Sequence, residues 1–254
     1  MQIEDYFSNK KRFYPELSFK HIQNPNRVLA FPVLGFVFKG IILLPIFIEL
    51  LVLMVLFFLV VILINPFIIL FSGEYWQFAY ELNVGVMKLS LKTYSFFTGL
   101  TNQYPWFNLE INDELFTLVM EKPKTPNKVL NLPILGILFK VIILLPFWLV
   151  SKLVGSAASI AYFFSSLPIF FQGRYPKSAY EITGDNIRLN LAGYAYITGL
   201  SDTYPSMYVS LNHKKIKVFL LILGFILTFL NFGSSTPGAT RTNYSQSSQN
   251  IIFK

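Results

Sequence analysis

Two charged residues interrupt two long apolar stretches of this chain. Glu49 lies within "PIFIELLVLMVLFFLVVILI" (45–64), and Lys152 within "PFWLVSKLVGSAASIAYFF" (146–164). Counted from Ile41 and Val141, they sit roughly 12 and 16 Å along helices rising about 1.5 Å per residue. An unpaired charge at that depth in lipid costs at least ~2.5–3.5 kcal/mol, so mutual pairing is the simplest expectation. Such a pair would register one part of the chain against another, or act as a gate or proton-linked site. Lys152 shares a helical face with Gly155, Ser156 and Ser159, small residues that let helices approach closely. Only Val52, Leu53 and Leu56 share the face of Glu49, so its partner must come from another helix.

Other chemistry is sparse. The two histidines, His21 and His213, each lie beside a lysine, and a metal site needs three or four ligands. With no cysteine, thiol chemistry and disulfides are excluded. Neither a glycine-rich phosphate loop nor a nucleophile elbow occurs. The reading is therefore of a non-enzymatic protein with no cofactor and no metal.

Composition supplies the solvent. The 254 residues are 54% hydrophobic and 13% charged, about half the charge of an average soluble domain. The run Ile41–Ile64 exceeds the ~20 apolar residues that cross a bilayer core. The net charge of +8 is carried largely by lysines and arginines flanking apolar runs, as in "SNKKRF" (8–13) and "NHKKIKV" (212–218). That placement fits anionic lipid headgroups and not nucleic acid.

The chain also repeats itself. "PNRVLAFPVLGFVFKGIILLP" (25–45) matches "PNKVLNLPILGILFKVIILLP" (126–146) at about two thirds of its positions. After a small shift in offset, "FSGEYWQFAYE" (71–81) matches "FQGRYPKSAYE" (171–181). "LSLKTYSFFTGLTNQYP" (89–105) likewise matches "LNLAGYAYITGLSDTYP" (189–205). Self-similarity on this scale marks tandem modules. The expected division is an N-terminal segment 1–24, a first module 25–107, a linker 108–125, a second module 126–207, a C-terminal transmembrane helix 208–232 and a disordered polar tail 233–254.

The module resembles the bacterial integral membrane family catalogued as domain of unknown function 4389. The resemblance rests on a turn, Phe71, Gly73, Tyr75 and Phe171, Gly173, Tyr175, Pro176, and on an exit. The exit reads Leu100, Thr101, Tyr104, Pro105 and Leu200, Asp202, Tyr204, Pro205. Trp76 stands where the turn proline is expected, and Asn102 replaces the acid of the exit. What the resemblance implies is a fold and a membrane location, not an activity. On their own chemistry the glycines permit tight turns, the prolines end helices and the tyrosines anchor at the headgroup level.

These features predict a mainly α polytopic protein of two tandem repeats, with short strands at 12–22, 106–111, 114–120 and 206–211. Glu81, Lys88 and Lys92 form a charged stripe on the helix 75–100, and Glu181 and Arg188 form its counterpart. Such a stripe lies in the interface, giving three crossings, or crosses with its charges facing protein, giving five. Charge asymmetry and strand pairing favour five, with parallel modules and the N-terminus in the bacterial cytoplasm. The expected function is a structural or interaction module in the membrane, with a protein partner or second copy. The alternative is a small transporter, channel or lipid-handling protein that uses Glu49 and Lys152.

Overall fold

The computed structural model describes residues 15–106, 116–207, 209 and 214–234. Among the described residues the chain is mainly helical with one two-stranded sheet. In order the elements are β1 (Glu16–Phe19), α1 (Leu34–Ile42), α2 (Leu44–Ser72), α3 (Gln77–Phe97), β2 (Phe116–Val119), α4 (Leu135–Ile143), α5 (Leu145–Gln172), α6 (Lys177–Ile197) and α7 (Lys214–Ser234). Residues Trp106, Ser206, Met207 and Val209 are not in strands, and the rest of the expected strands 106–111 and 206–211 lies outside the described residues. The expected disordered tail also lies there, apart from Gly233 and Ser234, which end α7.

Local sequence explains the matching boundaries. α1 and α4 each begin after a three-residue turn in which Leu34 N–H donates to Pro32 (2.7 Å) and Leu135 N–H donates to Pro133 (2.6 Å). Val33 and Ile134 sit at the turn centres at φ 64° and 62°, a strained conformation for branched side chains. Pro45 and Pro146 then occupy the first turns of α2 and α5, where a missing N–H costs nothing. Gly73 and Gly173 close the same helices at φ 76° and 67°, left-handed caps that other residues adopt only under strain.

α2 has 29 residues and α5 has 28. The extra residue is absorbed by a π-helical stretch, Phe58–Ile64, inside α2. The shift in sequence offset falls there. By length and composition α2 and α5 are each able to cross a membrane.

The halves meet through a reciprocal exchange. Tyr75, just before α3, donates its hydroxyl to the Thr198 carbonyl just after α6 (3.0 Å), and Tyr175, just before α6, donates to the Thr98 carbonyl after α3 (3.2 Å). These bonds tie opposite ends of the two helices, so α3 and α6 are antiparallel and the halves run in opposite directions. This corrects the parallel arrangement expected from charge counting. It also corrects the role of the turn tyrosines: Tyr75 and Tyr175 are 1% and 2% exposed, so they lock the halves together and do not anchor at headgroups.

β1 and β2 pair antiparallel, Glu16 opposite Val119 and Phe19 opposite Phe116, with Leu17 and Phe19 buried. Tyr180 donates to the Lys20 carbonyl and Tyr80 to that of Met120 (2.8 Å), so each strand's end is pinned one turn into a central helix. His21 hydrogen-bonds the Tyr175 carbonyl (3.1 Å) and packs on Tyr180. Burial lowers the His21 pKa below its usual value; the Tyr175 hydrogen bond partly opposes this, and nearby Lys177 adds to it. The neutral ring is therefore the folded form, and its stabilisation is present above about pH 6.5 and is lost as pH falls through and below that value. Thermal melts at pH 7 and 5 are expected to show a loss on acidification that His21→Gln reduces.

Candidate functional site

The intended pair of Glu49 and Lys152 is not formed. Because the halves run oppositely, the starts of α2 and α5 lie at opposite ends of the molecule. Glu49 instead lies within electrostatic reach of Lys92, a member of the charged stripe on the adjacent α3, and its Oε2 accepts no hydrogen bond among the described residues. Lys152 is exposed on α5. Its helical face carries Ser156 and Ser159 beside it and the exposed apolar side chains Leu145, Trp148, Leu149, Phe163, Leu167 and Phe171 toward either end.

Beside Lys152 opens a groove of about 630 Å³ between α5, α6 and the end of α3. Ser151, Gly155, Ser156 and Ser159 form its α5 wall, Asn186 and Asn190 its α6 wall, and Trp148 and Tyr94 close it. Asn186 donates to the Tyr94 hydroxyl (3.1 Å), Asn190 to the Asn186 side chain (3.1 Å), and Ser151 to Asn190 (3.3 Å). These bonds fix a polar wall, while the Lys152 ammonium has no hydrogen bond or ion pair within the described residues.

The first half carries larger, apolar side chains at the equivalent positions. Counted from the Leu-Pro pair that opens each long helix, Gly155, Ser156 and Ser159 correspond to Met54, Val55 and Phe58, and Lys152 to Leu51. Ala158 corresponds to Phe57, which stacks on Tyr194 at 5.9 Å. Small side chains therefore stand in one half where large ones stand in the other. The run "GSAAS" carried that signal; Asn186 and Asn190 were missed because only tertiary packing turns them toward α5.

The charged stripe divides between two environments. Glu81 accepts from Gln77 (2.8 Å) at the surface, and Lys88 is half-buried. In the second half Glu181 and Arg188 join Asp185 and Lys217 in a buried ion cluster. Arg188 pairs with Asp185, and Lys217 lies 3.7 Å from Asp185 and 2.9 Å from Glu181. The last contact is an ion contact without hydrogen-bond alignment at Glu181 Oε2. Asp185 and Lys217 have fully buried side chains and were not legible as partners, because they come from α6 and α7.

Two further lysines are buried at the same place in each half. Lys39 donates to the Phe97 carbonyl (3.0 Å) at the end of α3; Lys140 donates to Asn131 (2.8 Å) and reaches the Ile197 carbonyl (3.5 Å) at the end of α6. A cation at a helix C-terminus satisfies bare carbonyls and opposes the helix dipole. Their shared place in the repeated "FK" of "FVFK" and "ILFK" was a usable sequence signal.

The exit residues are structural as well. Tyr104 donates to the Ile42 carbonyl (3.1 Å), Pro105 and Pro205 are buried, and Tyr204 packs edge-on against Tyr196. Pro176 and Trp76 are the N-caps of α6 and α3, both with extended backbone, so the two residues are equivalent in place despite differing in type. Among the described residues no group of three or more His, Asp or Glu side chains gathers as a metal site. Comparison of the chain with family models, with curated proteins and with solved structures finds no match.

Proposed function

We propose that this chain is a non-enzymatic membrane protein of two tandem modules, the second of which holds the phosphate headgroup of an anionic lipid in the groove beside Lys152. One observation carries the reading: an ammonium without a partner among the described residues stands at the mouth of a polar groove, on a helix whose exposed surface is otherwise largely apolar. A lysine on a lipid-facing surface needs a counter-charge, and lipid phosphate is an abundant one there. Ser151, Asn186, Asn190 and Tyr94 add hydrogen-bonding groups of both polarities, which suit a phosphate and its ester oxygens. This joins the interaction-module reading to the lipid-handling one. Glu49, near Lys92 on its own module, has no part in this site. A location in the bacterial cytoplasmic membrane with the basic segments on the cytoplasmic side follows from the charge bias.

The test is lipid retention by the purified full-length protein, measured by native mass spectrometry with phosphatidylglycerol or phosphatidylcholine added. Retention of phosphatidylglycerol is expected to fall about tenfold in Lys152→Leu, since a charge-assisted hydrogen bond is worth ~1.5–3 kcal/mol. Filling the groove with the first half's larger side chains, Gly155→Met and Ser159→Phe, should produce the same loss. Glu49→Gln should leave retention unchanged. Equal retention of phosphatidylglycerol by the wild type and Lys152→Leu would sink the proposal.

A further inference from the structure

We infer that the helices of this protein lie along the plane of the membrane, seated in one leaflet, and that α2 and α5 do not cross it. The inference comes from the position of the sheet, independently of the groove. Tyr75 to Thr98 spans α3 and its ends, ~35 Å at about 1.5 Å per residue, and α6 lies antiparallel beside it. Tyr80 and Tyr180, which hold the strand ends, stand ~8 Å in from the opposite ends of this pair at the same rise. The β-ribbon therefore covers the middle of the helix pair.

If α3 and α6 crossed a hydrocarbon core ~30 Å thick, the ribbon would lie at its centre. The middle of the ribbon, with the part-exposed Ser18, would sit near the midplane. The irregular segments leaving the ribbon, Lys20–Arg27 and Glu121–Lys128, run out to the two ends of the pair, where Asn26 meets Asn102 and Asn127 meets Asp202. Where they leave the ribbon they would lie within the hydrocarbon with Lys20 and Glu121 exposed. Lipid-exposed irregular backbone does not occur in the hydrocarbon region, because its polar groups find no partner there.

The exposed apolar surface is unevenly shared among the helices. The central helices contribute little exposed apolar surface: Phe78 and Tyr94 from α3 and no large apolar residue from α6. The oily surface belongs to α1, α2, α4, α5 and α7, where Phe38, Phe47, Leu51, Val55, Leu149 and Phe163 are each 46–66% exposed. A helix ~10–12 Å across fits within the ~15 Å hydrocarbon depth of a single leaflet. The occupant of this surface is thus the acyl region of one leaflet, with Lys152 reaching along its alkyl stem to the phosphate level, and the ribbon with its charged segments faces water.

The chain has no cysteine, so single cysteines report sidedness without background. The test uses full-length protein reconstituted in sealed vesicles and a membrane-impermeant maleimide added from either side. Glu74 and Gln103 bracket α3, Arg174 and Thr203 bracket α6, and Val119 marks the ribbon; all five are exposed, so substitution leaves the fold unburdened. All five should label from one and the same side. Opposite-side labelling within either bracketing pair, or protection of Val119→Cys from both sides, would overturn the inference. Equal thermal melts of the five variants guard against a folding artefact.

Discussion

Asp185→Leu is expected to lower the unfolding free energy by ~3–5 kcal/mol, the loss typical of removing one member of a buried ion pair. Asp185 is the centre of the cluster, paired with Arg188 one turn on and near Lys217 from α7, and its side chain is fully buried. Without it Arg188 loses its buried carboxylate and Lys217 keeps Glu181, itself 14% exposed and poorly aligned. Isolated buried charge is expensive because the surrounding medium cannot replace water's solvation. Replacing Asp185, Arg188 and Lys217 together by leucine should recover much of the loss, since apolar substitution of a whole buried cluster is often tolerated. Denaturation in detergent or nanodiscs measures both. If Asp185→Leu melts as the wild type does, the cluster is not the element that holds α7 to α6.

Gly224→Leu is the second large effect, about 3 kcal/mol at the upper end of overpacking costs. A Cβ at Gly224 would stand 2.8 Å from the Ala157 backbone nitrogen and 3.0 Å from the Leu153 carbonyl oxygen. Both obstacles are main chain of α5, so no rotamer change relieves them, and α7 must move away. That movement would also strain the Ser156–Thr228 hydrogen bond (2.9 Å) one turn further and the Lys217 contacts at the start of α7. Close approach through small residues is how helices pack in an apolar solvent, where burial itself gives little drive. Retention of the wild-type melting temperature would show that α7 is not seated on α5 in solution.

The sequence by itself determined the helices and their punctuation. Apolar length, Pro45 and Pro146 at the starts, and Gly73 and Gly173 at the ends are local signals, and each acts within a turn or two. The internal match placed equivalent elements in both halves, and the shift in its offset marked the extra residue that became a π-helical stretch. β1 and β2 were legible from alternation at 16–19 and 116–119.

What only the tertiary structure decided was direction and partnership. Two modules of identical local signals pack head to head or head to tail with the same residues, and the choice lies in which carbonyl Tyr75 and Tyr175 reach. That choice separated Glu49 from Lys152 and left Glu49 near Lys92 on the neighbouring helix. It also brought Lys217 from α7 onto Asp185 and Glu181, a contact between distant stretches that no spacing encodes. The small neighbours of Lys152 suggested that it points into protein, whereas it is exposed at the mouth of a groove. Whether it would meet an acid or a groove depended on helices that approach only in three dimensions.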